Sequence, residues 1–205
     1  MRKIILSLIT LILTLIAIIT AYLSIIGYET DKFNSFLENK ITSNFSNTKI
    51  DFNKIKIKIN LKNFSFFVTT VEPNIQFHNN EIKLKKIDAY VNLKSLVVGR
   101  PKIDKVNIQS NEIDIKKVKN ITKYFKPSNL KKFILNEVED GKTNFNLDLD
   151  LKDNKIENYE VNGTVKNFGA NLQKIKLSKS SFVFLIKQDS GEIDNIRGNL
   201  NGFQI

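Results

Sequence analysis

The sequence contains no cysteine and no tryptophan, and it has a single histidine among 205 residues. Without cysteine the chain can form no disulfide, no thiolate nucleophile, no cysteine metal site and no cysteine-linked lipid anchor. The GxSxG elbow, the phosphate-binding loop and the HExxH motif are also missing. We therefore expect a protein that is not an enzyme and that uses no metal and no other cofactor.

The few residues that suggest site chemistry have simpler explanations. His78 stands beside the Asn79-Asn80 turn, and we predict a solvated side chain there. Asp148, Asp150 and Asp153 are spaced like ligands of a calcium loop, but the glycine turn and the distal glutamate of that loop are missing. The first two aspartates alternate with leucines, which places them on the polar face of a strand.

The formal net charge is +11, and nearly all of it comes from lysine. Lysine is a point charge that matches bidentate recognition of phosphates or bases poorly, and the chain has no RNA-binding signature and no helix-turn-helix spacing. Nucleic acid is therefore not an expected partner. A mild attraction to anionic lipid head groups or to other envelope polyanions remains.

The longest uncharged run extends over 23 residues, from Ile4 to Ile26. As a helix it would be about 34 Å long, slightly more than the roughly 30 Å hydrocarbon layer of a bilayer. A cleaved signal peptide has an apolar region of only about 7–15 residues and a small-residue cleavage site, and a buried helix of a soluble protein is a further alternative. We interpret residues 1–28 as an uncleaved, single-pass transmembrane anchor.

Charges on the two sides of this run predict its orientation. Arg2 and Lys3 precede it, whereas Glu29 and Asp31 follow it. Because basic residues stay on the cytoplasmic side, we expect a cytoplasmic N-terminus in a bacterial inner membrane and a periplasmic location for the bulk of the chain.

Residues 29–48 are predicted to form a short amphipathic helix or linker. Its apolar residues recur at helical spacing. They are Phe33, Phe36, Leu37, Ile41 and Phe45. Such a helix could either cap the start of a sheet or lie on the membrane beside the anchor.

From residue 50 onward the apolar period changes from 3.6 to 2, which is typical of strands with one apolar face. In the first strand the opposite face is cationic, with Lys56 and Lys58. We predict a β-sheet module over 49–118, a helical insertion over 119–142 with two short helices hinged at Pro127, and a second β segment over 143–205. An apolar last strand at an open edge leads us to expect that the chain continues beyond residue 205. The predicted fold is therefore mainly β, an elongated, curved antiparallel sheet forming an open groove behind the N-terminal helix.

The segment from Asn80 to Ile115 carries a resemblance to a known family. Apolar residues and one glycine follow the order φxφxLxSLxxG, then φxxφxφ, then φxφ. These positions are Val91, Leu93, Leu96 and Gly99, then Ile103, Val106 and Ile108, then Ile113 and Ile115. The pattern resembles the N-terminal part of the AsmA-like family, the AsmA/TamB/YhdP group. Residues 155–170 resemble the repeat-like strands of its YhdP-type members.

The resemblance implies an inner-membrane-anchored, periplasmic bridge whose curved β-groove carries phospholipid acyl chains between envelope membranes and supports outer-membrane biogenesis. The expected partners are phospholipid, the inner membrane and outer-membrane or other envelope proteins. An uncovered apolar face suits acyl chains physically, since their burial contributes about 0.8 kcal/mol per CH₂. The groove candidates are Ile55, Ile57, Ile59, Leu61, Phe64, Phe66, Ile82, Leu84, Ala89, Val91, Leu93, Val106, Ile108, Phe145, Leu147, Leu149, Leu151, Val161, Val165, Phe182 and Phe184.

A second hypothesis needs no lipid. The sheet could pack on itself as a sandwich, and the protein would then be a membrane-tethered periplasmic scaffold or assembly factor that binds an envelope protein. The two hypotheses share the anchor and differ in whether lipid or protein covers the apolar side chains.

Overall fold

The computed structural model describes most of the chain. The described residues are 2–31, 34–35, 38–39, 42, 47–61, 65–91, 95, 98, 102–152, 155–172 and 175–204. Several predicted features lie outside these residues, namely the apolar positions of the amphipathic helix (Phe33, Phe36, Leu37, Ile41 and Phe45), the groove candidates Phe64 and Leu93, and the motif positions Leu96 and Gly99.

The N-terminal apolar run forms one helix, α1 (Arg2–Ile25), with none of its residues buried. It is the one helix in the described part of the chain that is long and apolar enough to cross a membrane, as an anchor or a signal sequence would be. Thr10 Oγ1 donates to the Leu6 carbonyl and Thr14 Oγ1 donates to the Thr10 carbonyl, both at 2.9 Å. The helix therefore satisfies these hydroxyls itself, as a lipid environment requires.

Most of the rest of the described chain forms one open antiparallel sheet of 13 strands, which confirms the predicted mainly β fold. Residues 34–35, 38–39 and 42 are helical, and two further short helices lie later in the chain. The strands are β1 (Tyr28–Thr30), β2 (Thr48–Asp51), β3 (Lys54–Asn60), β4 (Ser65–Val71), β5 (Asn74–Phe77), β6 (Asn80–Val91), β7 (Ile103–Ser110), β8 (Ile113–Asp114), β9 (Val138–Lys152), β10 (Lys155–Leu172), β11 (Ile175–Lys187), β12 (Gly191–Leu200) and β13 (Phe203–Gln204). The main order is β1-β3-β4-β6-β7-β9-β10-β11-β12-β13. Strand β5 lies between β2 and β6, and β8 pairs with β9.

The predicted helical insertion consists of α2 (Ile115–Thr122) and α3 (Asn129–Asn136). Each helix begins at a side chain that accepts a backbone N–H, because the first amides of a helix have no partner within it. Asp114 Oδ1 accepts from Lys116 N at 2.7 Å, and Ser128 Oγ accepts from Lys131 N at 3.1 Å. The insertion ends earlier than the predicted residue 142, since β9 already begins at Val138.

The strand register brings the apolar residues of different strands onto one face. Directly paired residues of antiparallel strands point to the same side of the sheet. One such row crosses six strands through Ile57, Val68, Ala89, Val106, Leu149 and Tyr159. A second row runs through Phe145, Gly163, Phe184 and Ile193.

Bulges keep this alignment where the sequence alternation changes phase. The register shifts in β10, β11 and β12 coincide with non-glycine residues of positive φ: Asn167 at 50°, Lys179 at 50° and Asn195 at 55°. A bulge inserts one extra residue and bends its strand. The even-numbered Phe168 therefore lies on the same face as the odd-numbered Val165.

Candidate functional site

The groove candidates that the structure describes lie on one face of the sheet, apart from Leu61 in the turn after β3. We call this surface the apolar face. It contains Ile55, Ile57, Ile59, Phe66, Ile82, Leu84, Ala89, Val91, Val106, Ile108, Phe145, Leu147, Leu149, Leu151, Val161, Val165, Phe182 and Phe184. The register adds members that the sequence analysis did not select. They are Val68, Ile87, Tyr159, Ile186 and Ile193.

The phase of alternation could have identified Val68 and Ile87, which continue the apolar positions of their own strands. Leu84 was already a predicted groove candidate, but a strict alternation would place it on the opposite side of β6 from Ile87. A register shift between Leu84 and Lys86 places Leu84 opposite Ser110, and thus on the same side as Ile87. The adjacent lysines Lys85 and Lys86, which interrupt the sequence pattern, mark this bulge.

Most of the apolar face is only half-buried, and the residues that the structure describes place no second layer of strands over its middle. Ile108, Leu147, Leu149 and Val161 are all partly exposed to solvent. Two candidates elsewhere on the face, Ile55 and Leu84, are buried to 1% and 2% exposure. The sandwich arrangement is therefore not seen in the described residues, which form a single sheet.

A glycine in the middle of the face makes room for an aromatic ring. Gly163 lies between Phe145 on β9 and Phe184 on β11. A Cβ at this position would lie 2.7 Å from Phe184 Cζ and would also collide with the Asn144 carbonyl. The Phe184 ring therefore lies over the glycine, which keeps this part of the face shallow.

One end of the apolar face is closed by the two short helices. Ile115 of α2 belongs to a buried cluster with Val138, Val165, Phe168 and Ala170. Phe133 of α3, together with Leu177, Phe182 and Phe184, packs against this cluster, and Phe168 meets Phe182 edge to face with a centroid distance of 5.3 Å. This end resembles an ordinary small core.

The other end of the face is open. Leu61, Ile103 and Ile156 are 46%, 39% and 60% exposed, and they lie where β3, β7 and β10 reach this end of the sheet. Ile103, paired with Val91, and Ile156, paired with Leu151, therefore extend the apolar face to this end of the sheet.

The open end is also the end at which α1 joins the sheet. Tyr28, just after the helix, pairs with Ile57, and Lys58 Nζ lies 3.5 Å from the Ile25 carbonyl oxygen. Gly27 makes the connection with φ +83°, and a Cβ there would lie 2.7 Å from Lys58 Cγ. The register puts Ile57 only about two residues, roughly 7 Å, from the open end.

The opposite face of the sheet is mainly polar, although Phe67 stacks on Tyr90 there and β11 adds Val183 and Leu185. It is not simply cationic, as Lys56 and Lys58 suggested. Lys86 Nζ lies 2.7 Å from Oδ2 of the nearly buried Asp88, and Lys105 Nζ lies 3.0 Å from Asp148 Oδ1. Acidic side chains of the same strand, as for Lys86, or of the neighbouring strand, as for Lys105, thus neutralise these lysines. This face therefore carries both positive and negative charges.

Asp148 is the centre of a network on this polar face. Asn107 Nδ2 donates to Asn146 Oδ1 at 2.8 Å and to Asp148 Oδ1 at 3.0 Å. Burial alone would raise the pKa of Asp148, but the hydrogen bonds from Asn107 and Lys105 outweigh it and hold the pKa below its ordinary value. The pKa of Lys105 is raised, chiefly by its hydrogen bond to Asp148. We assign this network a structural role in holding β7 against β9.

The side chain of His78 was predicted to be solvated, but it packs against two aromatic rings. Its ring stacks on Tyr124 at a centroid distance of 3.9 Å and an angle of 6°, and it meets Phe77 edge to face at 4.6 Å. The side chain is half-buried. Asp148 and Asp150 do lie on the polar face of β9, whereas Asp153 is outside the described residues. Within the described ranges, no group of three or more His, Asp and Glu side chains is placed to hold a metal ion.

No protein family, curated protein or solved structure matches this chain. The AsmA-like resemblance therefore stays a prediction.

Proposed function

We propose that the chain is a membrane-anchored lipid-transfer module of the bacterial envelope, and that acyl chains of phospholipids lie on the apolar face. The observation that carries this proposal is an apolar surface that crosses the sheet and whose middle is only half-buried by the residues that the structure describes. Soluble proteins rarely leave a contiguous apolar patch larger than a few hundred Å² unless it binds something.

The dimensions of this surface suit elongated apolar ligands. Ten strands in the main order, spaced at about 4.8 Å, give a width of roughly 45 Å. Each acyl CH₂ that leaves water contributes about 0.8 kcal/mol, so a chain lying along the face gains several kcal/mol. Because the sheet is open, the head group can stay in water while the tail is covered.

The position of α1 supports a membrane source for the lipid. With Arg2 and Lys3 before the uncharged run and Glu29 after it, the positive-inside rule predicts that the sheet lies on the periplasmic side of an inner membrane. The open end of the apolar face adjoins the connection from α1. The AsmA-like resemblance adds a more specific role: the protein would carry phospholipid between envelope membranes and so support outer-membrane biogenesis.

A photo-crosslinking scan along β9 tests the proposal. A photoreactive amino acid is placed in turn at each position from 145 to 150 of the full chain in its membrane. We expect phospholipid adducts at Phe145, Leu147 and Leu149 only. The intervening positions 146, 148 and 150 lie on the polar face of the same strand and are matched controls. Equal lipid adducts at odd and even positions, or adducts to protein alone at the odd positions, would overturn the proposal.

The far edge of the sheet favours a second candidate, a tethered scaffold that binds an envelope protein. Ile193, Ile196 and Phe203 at this edge are 58%, 51% and 77% exposed. In the described part of the chain, β12 pairs on its outer side only with the short β13. A protein partner could add a strand to the rest of this edge. Crosslinks from Ile193 to one envelope protein, without lipid adducts on β9, would favour the scaffold.

A further inference from the structure

The positive charge of the chain is concentrated in the two short helices. Residues 115–136, which we call the helical hairpin, contain seven lysines and no acidic residue, whereas the net charge of the whole chain is +11. Among the described residues, none of these seven lysines forms an ion pair. Several lysines of the sheet, such as Lys86 and Lys105, do have carboxylate partners. The hairpin is therefore a patch of one sign on a surface that is otherwise mixed.

Two of the seven lysines, Lys119 and Lys131, donate hydrogen bonds to backbone carbonyls, and Lys123 Nζ donates to Asn120 Oδ1 at 3.0 Å. Lys119 Nζ donates to the Val138 carbonyl at 2.8 Å, and Lys131 Nζ donates to the carbonyls of Lys123 and Phe125, each at 2.7 Å. The other five are exposed. They are Lys116, Lys117, Lys123, Lys126 and Lys132.

Large apolar side chains stand exposed among these lysines. Tyr124 and Phe125 in the link between the helices are 50% and 59% exposed, and Leu130 in the first turn of α3 is 60% exposed. The link is held in place, because the Tyr124 ring stacks on His78 and the Phe125 ring stacks on Phe77 at 6.4 Å. Lys131 also bonds two backbone carbonyls of the link. Tyr124 and Phe125 are therefore exposed on a loop that is held in a defined conformation.

We propose that the helical hairpin docks on the surface of an anionic lipid bilayer, with Tyr124, Phe125 and Leu130 entering the head-group layer. Aromatic rings with a polar tip and lysines with long apolar stems are the side chains that settle at this depth. Lysine as a point charge suits a diffuse negative surface better than a ligand that needs bidentate contacts. The exposed apolar residues inside the cationic patch favour a bilayer over a soluble polyanion, because a soluble polyanion has no apolar layer in which these side chains could be buried.

This surface is distinct from the apolar face and from the anchor, so the inference does not depend on lipid transfer. The register places Ala89 level with Ile57, where α1 joins the sheet, and β6 runs from there to Asn80, beside Phe77. At about 3.3 Å per residue the hairpin link lies roughly 30 Å along the strands from the anchor connection. Docking there would fix the sheet to a bilayer at a second point, in the same membrane or in a facing one.

An environment-sensitive fluorophore can report docking, because the chain has no cysteine of its own. The full chain carrying Asn129→Cys is labelled and reconstituted in nanodiscs of phosphatidylcholine. In one arm the nanodisc lipid includes phosphatidylglycerol, and in a second arm phosphatidylglycerol vesicles are added to neutral nanodiscs. We expect a blue shift and an intensity increase in at least one arm, reversed by high salt. A label at Ser190, in the turn between β11 and β12, should not respond.

Two sets of substitutions with equal charge change separate a local patch from general attraction. The hairpin set replaces five exposed lysines by glutamine at positions 116, 117, 123, 126 and 132. The control set does the same at exposed lysines of the sheet, which are Lys83, Lys85, Lys155, Lys166 and Lys176. We expect each hairpin lysine to contribute up to about fivefold in lipid affinity, so the hairpin set should lose binding and the control set should retain it. Circular dichroism checks that both sets fold.

The double variant Tyr124→Ser, Phe125→Ser tests insertion. It should keep salt-sensitive association but lose most of the blue shift. Three results would overturn the inference: no response to phosphatidylglycerol in either arm, equal weakening by the hairpin and control sets, or full binding to soluble polyphosphate with no blue shift on lipid. The last result would indicate an acidic soluble partner instead.

Discussion

Leu149 is the position at which one substitution best distinguishes an open apolar face from a closed core. It lies in the middle of the face, paired with Val106 on one side and Tyr159 on the other, and it is half-buried. We predict that Leu149→Glu leaves the protein folded and removes lipid from the face. A closed sandwich predicts unfolding for the same substitution.

The magnitude follows from the burial of the side chain. Burying a leucine fully contributes about 1.5–3 kcal/mol, so a half-buried one loses about 1–2 kcal/mol when it is replaced. A glutamate on an open face can reach water, which avoids the several kcal/mol that an unpaired charge costs in a closed core. In a chain of this size 1 kcal/mol corresponds to about 2–4 °C, so we expect the melting temperature to fall by roughly 2–8 °C.

Lipid binding should respond more strongly than stability. Two methylenes displaced from the face correspond to about 1.6 kcal/mol, which is more than tenfold in affinity. The assay is the thermal unfolding of the full chain in nanodiscs together with the yield of lipid adducts from a photoreactive residue at position 147. The control is Gln109→Glu, an isosteric change that adds the same charge on the polar face, opposite Lys86. Unfolding of the Leu149 variant, or an unchanged adduct yield, would refute the open-face reasoning.

Three further predictions concern topology, packing and pH. A reporter fused after residue 205 should be active only outside the cytoplasm, and activity of a cytoplasm-dependent reporter there would contradict the proposed orientation. Gly163→Ala should destabilise the fold by about 1–3 kcal/mol in chemical denaturation, because its Cβ would overlap the Phe184 ring, whereas Gly191→Ala, with no heavy atom within 4 Å, should be nearly neutral. The folded-state pKa of Asp148 is lowered, so its stabilising contribution is present above the ordinary aspartate pKa and is lost as pH falls through the lowered value. Melting temperature measured against pH should therefore fall less steeply on the acid side for Asp148→Asn than for the parent, and identical slopes would show that the Asp148 network does not contribute.

The sequence predicted those parts of the fold that depend on local periodicity. Alternation over Ile55–Leu61 and Phe145–Leu151 identified which side chains share a face, because the side chains of a strand alternate regardless of its partners. Asp114 and Ser128, which precede the two helices, are residues that typically cap helix N-termini, and the short helices were predicted close to their observed positions.

Features that depend on contacts between distant segments were not predictable in this way. His78 was expected in solvent, but its stacking partner Tyr124 comes from the insertion between β8 and β9. The polar face was expected to be cationic from β3 alone, yet Asp148 on β9 neutralises Lys105 on β7. A pattern within one strand contains no information about the charges of the next.

Bulges illustrate the same limit within the sheet. Asn167 adopts a positive φ, which asparagine tolerates better than most residues, but asparagine is common throughout this chain and does not mark a bulge by itself. What identifies the bulge is the pairing of Val165 with Phe182 and of Phe168 with Ser180. The alternation in β10 changes phase between these pairs, and a sequence analysis that assumes a constant period would assign Phe168 to the wrong face.

The two ends of the apolar face differ in a way that bears on the proposed function. Ile115 and Phe133 close the end beside the helical hairpin with a small core, whereas Ile103 and Ile156 leave the end beside α1 exposed. If lipid enters the face from the membrane that holds α1, the exposed end is the shorter route, and the hairpin core limits how far an acyl chain can slide. Removing that core with Phe133→Ala should therefore extend lipid adducts along β9 from position 145 to position 143, while adducts at position 149 stay unchanged. Adducts at position 143 in the parent protein, at the level found at position 149, would mean that the helices do not close the face and that lipid can pass beneath them.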